Sequence, residues 1–222
     1  MATDLYEVQG LCVDLTYLVL GPIANNTYII SDGEGTLVVD PSCETGKIIA
    51  ALEGKKLDAI LLTHHHWDHT GAAAALREET GAKVIASEVD APLIEDPVEG
   101  YSGKSEGCAV DVRVNHGDVV KVGGMEWKVI STPGHTPGSI CLFLIPQFGN
   151  HPNGLPVLIS GDTLFAGSIG RTDFEGGSMA DMRASLKKLA YLPDDTAVLP
   201  GHNNLTTIGS ERKRVFARFA EE

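Results

Sequence analysis

The sequence has no closely spaced cysteines, no long apolar run and no secretory leader, and each absence narrows the class of protein. Cys12, Cys43, Cys108 and Cys141 lie far apart, so there is no Cys-x-x-Cys metal or redox motif, and we expect reduced thiols. The apolar run Ser139–Ile145 is too short to cross a bilayer. The start, MATDLYEVQG, lacks a basic region followed by an apolar core. We therefore expect a cytoplasmic protein with no membrane partner.

Basic residues are scarce, because 17 Lys and Arg stand against 30 Asp and Glu, which gives a net charge of −13. Such a field repels polyphosphates, so we expect no nucleic-acid partner, and an anionic substrate would need a local basic patch. The chain has 222 residues, of which 43% are hydrophobic and 21% charged, and this is an ordinary globular composition. No linker rich in Pro, Gly or Ser divides the chain, so we interpret residues 1–222 as one domain. The oligomeric state stays open.

Five short apolar runs predict buried strands, and each run is followed within a few residues by Asp or His. The runs are Leu37–Val39, Ala59–Leu62, Val129–Ile130, Val157–Ile159 and Ala197–Leu199, and the polar residues are Asp40, His64, His135, Asp162 and His202. Ligands of α/β sheets bind beyond the carboxyl ends of strands, so this pattern indicates one shared site. An Asp taken alone can equally start a turn or cap a helix.

Helical patterns and a hairpin lie between these runs. The predicted elements are helices over Thr45–Glu53, Gly71–Thr80, Ser178–Tyr191 and Ile208–Ala220, and a hairpin over Gly117–Ile130 that turns at Gly123-Gly124. The acidic segment Glu88–Gly107 is predicted to be a solvated loop or a lid. Strands and helices therefore alternate with added hairpins, and the fold class is α/β or mixed α+β.

The segment THHHWDH (Thr63–His69) is the strongest local signal, since four of its seven residues are His and one is Asp. Neutral imidazoles bind zinc and iron, and a carboxylate adds charge that holds a dication. His64 and His66 can point to one metal, and Asp68 with His69 can point to a second. Two other interpretations stay open: His65 lies at the surface or beneath the loop, and Asp68 only caps the following helix.

Further ligand candidates come later in the chain, each directly after a glycine. They are His135, Asp162 and His202. A glycine there lets the backbone approach a crowded metal centre. His116 and His151 lack this context, and we interpret them as ordinary surface residues.

Together, the motifs THHHWDH, PGHTPGS, SGDTLF and PGHN resemble those of the metallo-β-lactamase superfamily. HHHWDHTG is similar to the motif of the glyoxalase II (hydroxyacylglutathione hydrolase) branch, and SGDTLFAGSIGRTDFEGG resembles the short glyoxalase II-like hydrolases. The resemblance covers residues from about Tyr28 to Gly209. It implies an α+β fold, an αββα sandwich with the metal site at one edge of two sheets.

The resemblance also implies roles for particular residues and a cofactor of two divalent metal ions. His64, His66 and His135 would bind one ion, Asp68, His69 and His202 the other, and Asp162 would bridge them. Asp40 would lie behind the ligands, and Arg171 with Phe174 would contact substrate; a salt bridge from Arg171 to Asp173 or Glu175 is the equal alternative. Zinc is the first expectation, and the ligands also suit iron or manganese.

The expected reaction is hydrolysis of a thioester such as S-lactoylglutathione. Two cations lower the pKa of a shared water from ~16 towards neutrality, and the hydroxide attacks the carbonyl carbon. Asp68 would orient this nucleophile or serve as a ligand alone. A thiolate with a parent pKa of ~8.5 leaves without a strong acid. Asp162 stands where many β-lactamases carry Cys, which argues against antibiotic hydrolysis. Full-length glyoxalase II enzymes carry a further helical C-terminal domain, which we expect to be lacking here, so a wider thioester range is plausible.

Two other functions stay open at the level of sequence. GRTDF also resembles the persulfide dioxygenases of the same superfamily, which hold one iron through two His and one Asp, here His64, His135 and Asp162. The other alternative is a non-catalytic metal-binding module. Structural zinc sites usually have four ligands, often thiolates, so seven nitrogen and oxygen donors favour an open catalytic site.

Overall fold

Two β-sheets carry the site, and the computed structural model describes them within residues 5–98 and 105–220. The first sheet has seven strands in sequence order: β1 (Leu5–Val8), β2 (Asp14–Leu20), β3 (Asn25–Ser31), β4 (Thr36–Val39), β5 (Ala59–Leu61), β6 (Lys83–Ser87) and β7 (Val112–Val114). β1 to β4 pair antiparallel, and β4 to β7 pair parallel. The carboxyl ends of β4, β5 and β6 therefore meet at one edge.

The second sheet has six strands. Its strands are β8 (Val119–Val122), β9 (Met125–Ser131), β10 (Ile140–Leu144), β11 (Val157–Gly161), β14 (Ala197–Pro200) and β15 (Thr206–Thr207), in the spatial order β15-β14-β11-β10-β9-β8. A separate ribbon contains β12 (Leu164–Phe165) and β13 (Ser168–Ile169). β11 and β14 pair parallel, and β10 runs antiparallel to both β9 and β11. β9, β11 and β14 thus share one direction and end at the same edge.

Helices cover the outer faces of both sheets. They are α1 (Thr45–Ala51), α2 (Trp67–Thr70), α3 (Ala73–Thr80), α4 (Ala91–Glu95), α5 (Met179–Leu189), α6 (Ile208–Glu211) and α7 (Ala217–Phe219), with a 3₁₀ turn at Pro146–Phe148 and a π-helical turn at Arg212–Phe216. None of the helices in the described part of the chain has the length and apolar composition needed to span a bilayer.

Alternation of side chains along the strands builds three apolar layers. In β4, Leu37 and Val39 enter the core between the sheets, while Val38 packs beneath α1 and α3. In β9, Val129 points into the same core and Ile130 points outward to α5. A strand buried on both faces has a continuous apolar sequence, which is why the five runs were recognisable. The layer order is that of the expected αββα sandwich.

The five predicted strands and the hairpin at Gly123-Gly124 are confirmed, and the helices are confirmed with different ends. α1 ends at Ala51, because Glu53 and Gly54 both adopt left-handed φ values of 51° and 80°. α5 begins after Ser178, whose hydroxyl accepts a hydrogen bond from the backbone N–H of Asp181 at 3.2 Å. It ends at Leu189, two residues before the predicted Tyr191.

The interpretation of Glu88–Gly107 as a loop is wrong in its first part. Helix α4 occupies Ala91–Glu95, and Asp90 before it is buried at 1% exposure. Residues 99–104 of the predicted loop lie outside the described residues. Apolar packing of Ile94 against the first sheet anchors this segment, which its acidic composition concealed.

The cysteines agree with the expectation drawn from their spacing. All four are free thiols: Cys12, Cys43, Cys108 and Cys141. Burial raises the pKa of Cys12, Cys108 and Cys141 to about 11. These thiols are protonated at neutral pH and are poor nucleophiles.

Candidate metal centre

Strand ends from both sheets converge on one cluster of imidazoles and carboxylates. β4 is followed directly by Asp40 and β11 is followed directly by Asp162, while β14 is followed two residues later by His202. The segment after β5 contributes His64, and the segment after β9 contributes His135. Within this cluster the structure brings together all seven predicted ligands, in three overlapping groups, and the donor atoms within each group lie within 4.8 Å of one another. Two groups are described below, and the third, formed by His64, His69 and Asp162, links them.

The first group contains His64, His66 and His135. The Nε2 atom of His64 lies 3.1 Å from Nδ1 of His66, which in turn lies 2.9 Å from Nε2 of His135. Burial and the neighbouring imidazoles lower the pKa of His66 to about 3, and burial lowers that of His64 and His135. Three neutral imidazoles that face one another are in the form that binds a divalent metal.

The second group contains Asp68, His69 and His202. Oδ2 of Asp68 lies 3.1 Å from Nε2 of His202 and 3.2 Å from Nε2 of His69. Burial acts to raise the pKa of Asp68, but attraction to His69 and the contact with His202 outweigh it and lower that pKa. Asp68 lies inside α2, whose N-cap is His66, so its interpretation as a helix cap is wrong.

The two groups differ in charge. Burial acts to lower the pKa of His69 and of His202, but the carboxylates of Asp162 and Asp68 outweigh it and raise both. The carboxylates of the second group therefore favour positive charge beside them, and a cation can take the place of the imidazole protons.

Asp162 lies between the two groups. Its Oδ2 atom is 3.4 Å from Nε2 of His135, and its Oδ1 atom is 3.4 Å from Nε2 of His69. Oδ1 is buried and has no hydrogen-bond partner among the described residues. A buried carboxylate oxygen without a partner is costly, and a cation at this point would satisfy it. The residues therefore fit a pair of divalent metal ions.

Asp40 lies behind His69, on the side away from Asp68 and Asp162. Its Oδ2 atom is 2.8 Å from Nδ1 of His69, and its two oxygens accept hydrogen bonds from the N–H and hydroxyl of Thr63 at 2.8 and 2.7 Å. This contact fixes which nitrogen of the His69 ring faces the cluster.

Asp90 is a residue of this region that the sequence analysis missed. Its Oδ2 atom accepts hydrogen bonds from the backbone N–H of His65 at 3.1 Å and the hydroxyl of Thr136 at 2.8 Å, and it lies 2.9 Å from Nδ1 of His65. It thus ties the segment that carries His64 and His66 to the segment that carries His135. The sequence feature that could have identified Asp90 is its position three residues after the apolar strand β6.

Arg171 and Phe174 lie beside the first group. The Phe174 ring is 5.6 Å from the ring of His66 and 5.9 Å from that of His135. Nε and Nη2 of Arg171 donate to the two oxygens of Asp173 at 2.9 and 2.8 Å, and its guanidinium lies 4.2 Å from the centre of the Phe174 ring. The salt bridge considered as an alternative for Arg171 is therefore present, next to the site.

Gly201 provides a test of the close backbone approach expected before each later ligand. A Cβ atom at this position would overlap Oδ1 of Asp162 and would lie 2.5 Å from Cε1 of His69. We expect Gly201→Ala to displace the side chain of Asp162 or of His69. Metal binding should then weaken by about 10–100-fold, which is the typical effect of losing a contact that holds a metal ligand in place. Metal content after dialysis against a chelator measures this. Gly46→Ala is the matched control, because its Cβ would meet nothing within 4 Å. Equal metal retention in both variants would contradict the steric argument.

Two sheets between helical layers, with seven histidine and aspartate donors at their common edge, define a metal-dependent enzyme. The chain belongs to the metallo-beta-lactamase superfamily, whose family profile matches residues 20–202. It is therefore an enzyme of this superfamily with a histidine and aspartate metal-binding cluster.

Similar proteins agree with this assignment. An uncharacterized protein of Aquifex aeolicus is 39% identical over 91% of this chain and 95% of its own length. The probable metallo-hydrolase YqgX of Bacillus subtilis is 34% identical over 87% and 92%. Hydroxyacylglutathione hydrolase GloC of Haemophilus influenzae is 31% identical over 85% and 90%.

Solved structures share the fold over most of their length. The B3 metallo-beta-lactamase BLEG-1 has a TM-score of 0.81 and 33% identity, with 91% of this chain and 98% of that chain covered. TTHA1623 in a di-iron-bound form has a TM-score of 0.75 and 35% identity, over 89% and 97%. ETHE1 from Myxococcus xanthus has a TM-score of 0.73 and 32% identity, over 94% and 85%.

Proposed function

We propose that this enzyme hydrolyses thioesters of the acylglutathione type. The observation that carries the proposal is the position of Asp162 between two donor groups, with an oxygen directed at each. The relative GloC, which aligns with 85% of this chain, is named a hydroxyacylglutathione hydrolase, and this supports the acylglutathione class of substrate. His64, His66 and His135 would hold one divalent ion and Asp68, His69 and His202 the other, with Asp162 shared; zinc is the first candidate. Such ions acidify water and polarise a carbonyl group.

The chain's own residues would position the reactants. The contacts with His69 and His202 hold the pKa of Asp68 well below its ordinary range, so this carboxylate stays ionised and can orient an attacking water by accepting a hydrogen bond from it. The Phe174 ring forms an apolar wall beside His66 and His135, and it would exclude water from one side of the acyl group. The leaving thiolate has a parent pKa of ~8.5 and needs no strong acid.

The test combines metal analysis with hydrolysis of S-lactoylglutathione by the purified protein. We expect two divalent ions per chain and hydrolysis that a chelator removes and added zinc restores. Protein that holds two ions and leaves the thioester intact would overturn the proposal.

An iron-dependent dioxygenase is the second candidate, because the similar TTHA1623 structure holds two irons and so shows that a related site accepts this metal. His64, His135 and Asp162 would then hold one iron. One iron per chain together with oxygen uptake on glutathione persulfide would favour this candidate. The two reactions are separated by oxygen consumption, which thioester hydrolysis does not require.

Arg171 provides a prediction about substrate binding. A guanidinium that binds a substrate carboxylate contributes about 1.5–3 kcal/mol, so we expect Arg171→Ala to raise KM by about tenfold with little change in kcat. Asp173→Ala removes the two hydrogen bonds from the guanidinium to Asp173 and should leave KM unchanged or lower it. If KM rises equally in both variants, the ion pair only maintains the conformation of the loop and Arg171 does not bind substrate.

A further inference from the structure

A groove of about 770 Å³ lies on the outer face of the second sheet, away from the residues of the metal centre. We call it the outer groove and define it by an apolar floor of Ile130, Phe143 and Phe148 and a basic rim of Lys128, Lys187 and Lys188. Its volume falls in the range of small-molecule sites, about 300–1,000 Å³.

The floor exists because the helical layer covers only part of the sheet. Leu186 of α5 packs with Leu158 and Val198, and these belong to β11 and β14. Lys128 and Phe143, which point outward from β9 and β10, line the groove together with Lys187 and Lys188 of this helix. The apolar surface continues to Val119 and Tyr191, which are 50% and 91% exposed.

The rim is positive in a chain whose net charge is −13. Lys128 and Lys187 form no ion pair or hydrogen bond with any described residue, and Lys188 donates to the backbone carbonyl of Ser131 at 2.7 Å. The acidic side chain at the rim, Glu126, is already paired with Lys121 at 2.6 Å. Exposed charges act over about 8–10 Å at physiological salt, so the local lysines decide which ligand the groove attracts.

We infer that the outer groove binds a small amphipathic carboxylate, with its anionic head between Lys128 and Lys187 and its hydrocarbon chain along Ile130 and Phe143. The basic rim selects the negative head, and the apolar floor selects the chain. A second copy of the protein is a poorer occupant, because two chains of charge −13 repel each other. This site is independent of the proposed function, since it shares no residue with the metal centre.

The experiment is calorimetric titration of the full-length protein with decanoate below its micellar concentration. We expect one decanoate per chain and an affinity that falls at least tenfold in the double variant Lys128→Gln/Lys187→Gln. The exposed pair Lys56→Gln/Lys83→Gln is the matched control and should bind as the parent protein does. Decanol, which has the same chain and no charge, should bind at least tenfold more weakly.

Three results would overturn the inference. Equal binding of decanol and decanoate would remove the role of the basic rim, and unchanged affinity in Lys128→Gln/Lys187→Gln would place the ligand elsewhere. A wild-type dimer in solution that Val119→Lys dissociates would assign the outer groove to a second copy of the chain. None of these readouts depends on thioester hydrolysis.

Discussion

Replacement of Asp162 by alanine is expected to lower hydrolysis of S-lactoylglutathione by at least about 10³-fold, because metal catalysis supplies several kcal/mol and each 1.4 kcal/mol is a factor of ten. Asp162 reaches both donor groups, at 3.4 Å from His135 and 3.4 Å from His69. Its loss removes a negative charge between six other donors. We therefore expect metal occupancy to fall together with activity, measured by elemental analysis after dialysis.

His66→Ala tests the first group of donors in the same metal centre. Its Nδ1 atom lies 3.1 Å from His64 and 2.9 Å from His135, so its removal opens the first group without touching Asp162. Activity should again be lost. His116→Ala is the matched control, since this exposed imidazole accepts a hydrogen bond from the N–H of Ser131 and belongs to neither group. A near-wild-type rate in Asp162→Ala or His66→Ala would defeat the assignment of the metal centre.

The sequence predicts the polar residues of this centre because they follow strands that the apolar composition reveals. The strand Thr36–Val39 is buried on both faces, reads as a continuous apolar run and is followed at once by Asp40. The same is true of Val157–Gly161 and Asp162. The strands that precede these residues run in the same direction within each sheet and end at the same edge. The polar residues that follow them are therefore expected to lie close together.

The sequence does not predict the role of Asp90, because the residues that surround it come from distant parts of the chain. Its segment is acidic, and acidic segments are usually solvated. Thr136, which donates to it, lies 46 residues away, and Ile94 holds the segment against the first sheet. Composition does not distinguish a solvated carboxylate from one that later packing covers.

The partner of Arg171 could not be predicted for an energetic reason. Both Arg171 and Asp173 are exposed, and an exposed ion pair contributes only about 0–1 kcal/mol. A preference of that size depends on local backbone geometry, which places the guanidinium over the Phe174 ring at the same time. Sequence spacing alone leaves the salt bridge and a substrate contact equally open.

Asp90→Ala is expected to weaken metal binding by about 10–100-fold, although Asp90 belongs to none of the three donor groups. Its Oδ2 atom joins the His65 and Thr136 segments, which present His66 and His135 to the metal. The alanine variant leaves the backbone N–H of His65 without its acceptor, at about 1–3 kcal/mol, whereas the hydroxyl of Thr136 keeps its contact with Ser139 at 2.7 Å. Zinc affinity by chelator competition measures the loss.

Protonation provides an independent check on Asp90. Burial acts to raise its pKa, but the hydrogen bonds from His65 and Thr136 outweigh it and lower the pKa. A carboxyl whose pKa is depressed on folding stabilises the protein above its unfolded value of about 3.9, and this stability is lost as the pH falls through the lower folded value. The difference in unfolding free energy between the parent and Asp90→Asn should therefore be constant near neutrality and shrink in acid.

Two further variants separate positioning from general destabilisation. His65→Ala removes one contact to Asp90 but leaves the backbone N–H of residue 65 and the hydroxyl of Thr136 in place, so activity should be retained. Glu88→Gln changes an exposed carboxylate two residues away, which contacts Arg113, and should leave zinc affinity unchanged. If Asp90→Ala binds zinc as tightly as Glu88→Gln does, the contact from Asp90 has no part in holding the metal ligands. If it binds weakly while urea unfolding of the metal-free protein is little changed, the buried carboxylate acts by fixing the two ligand segments.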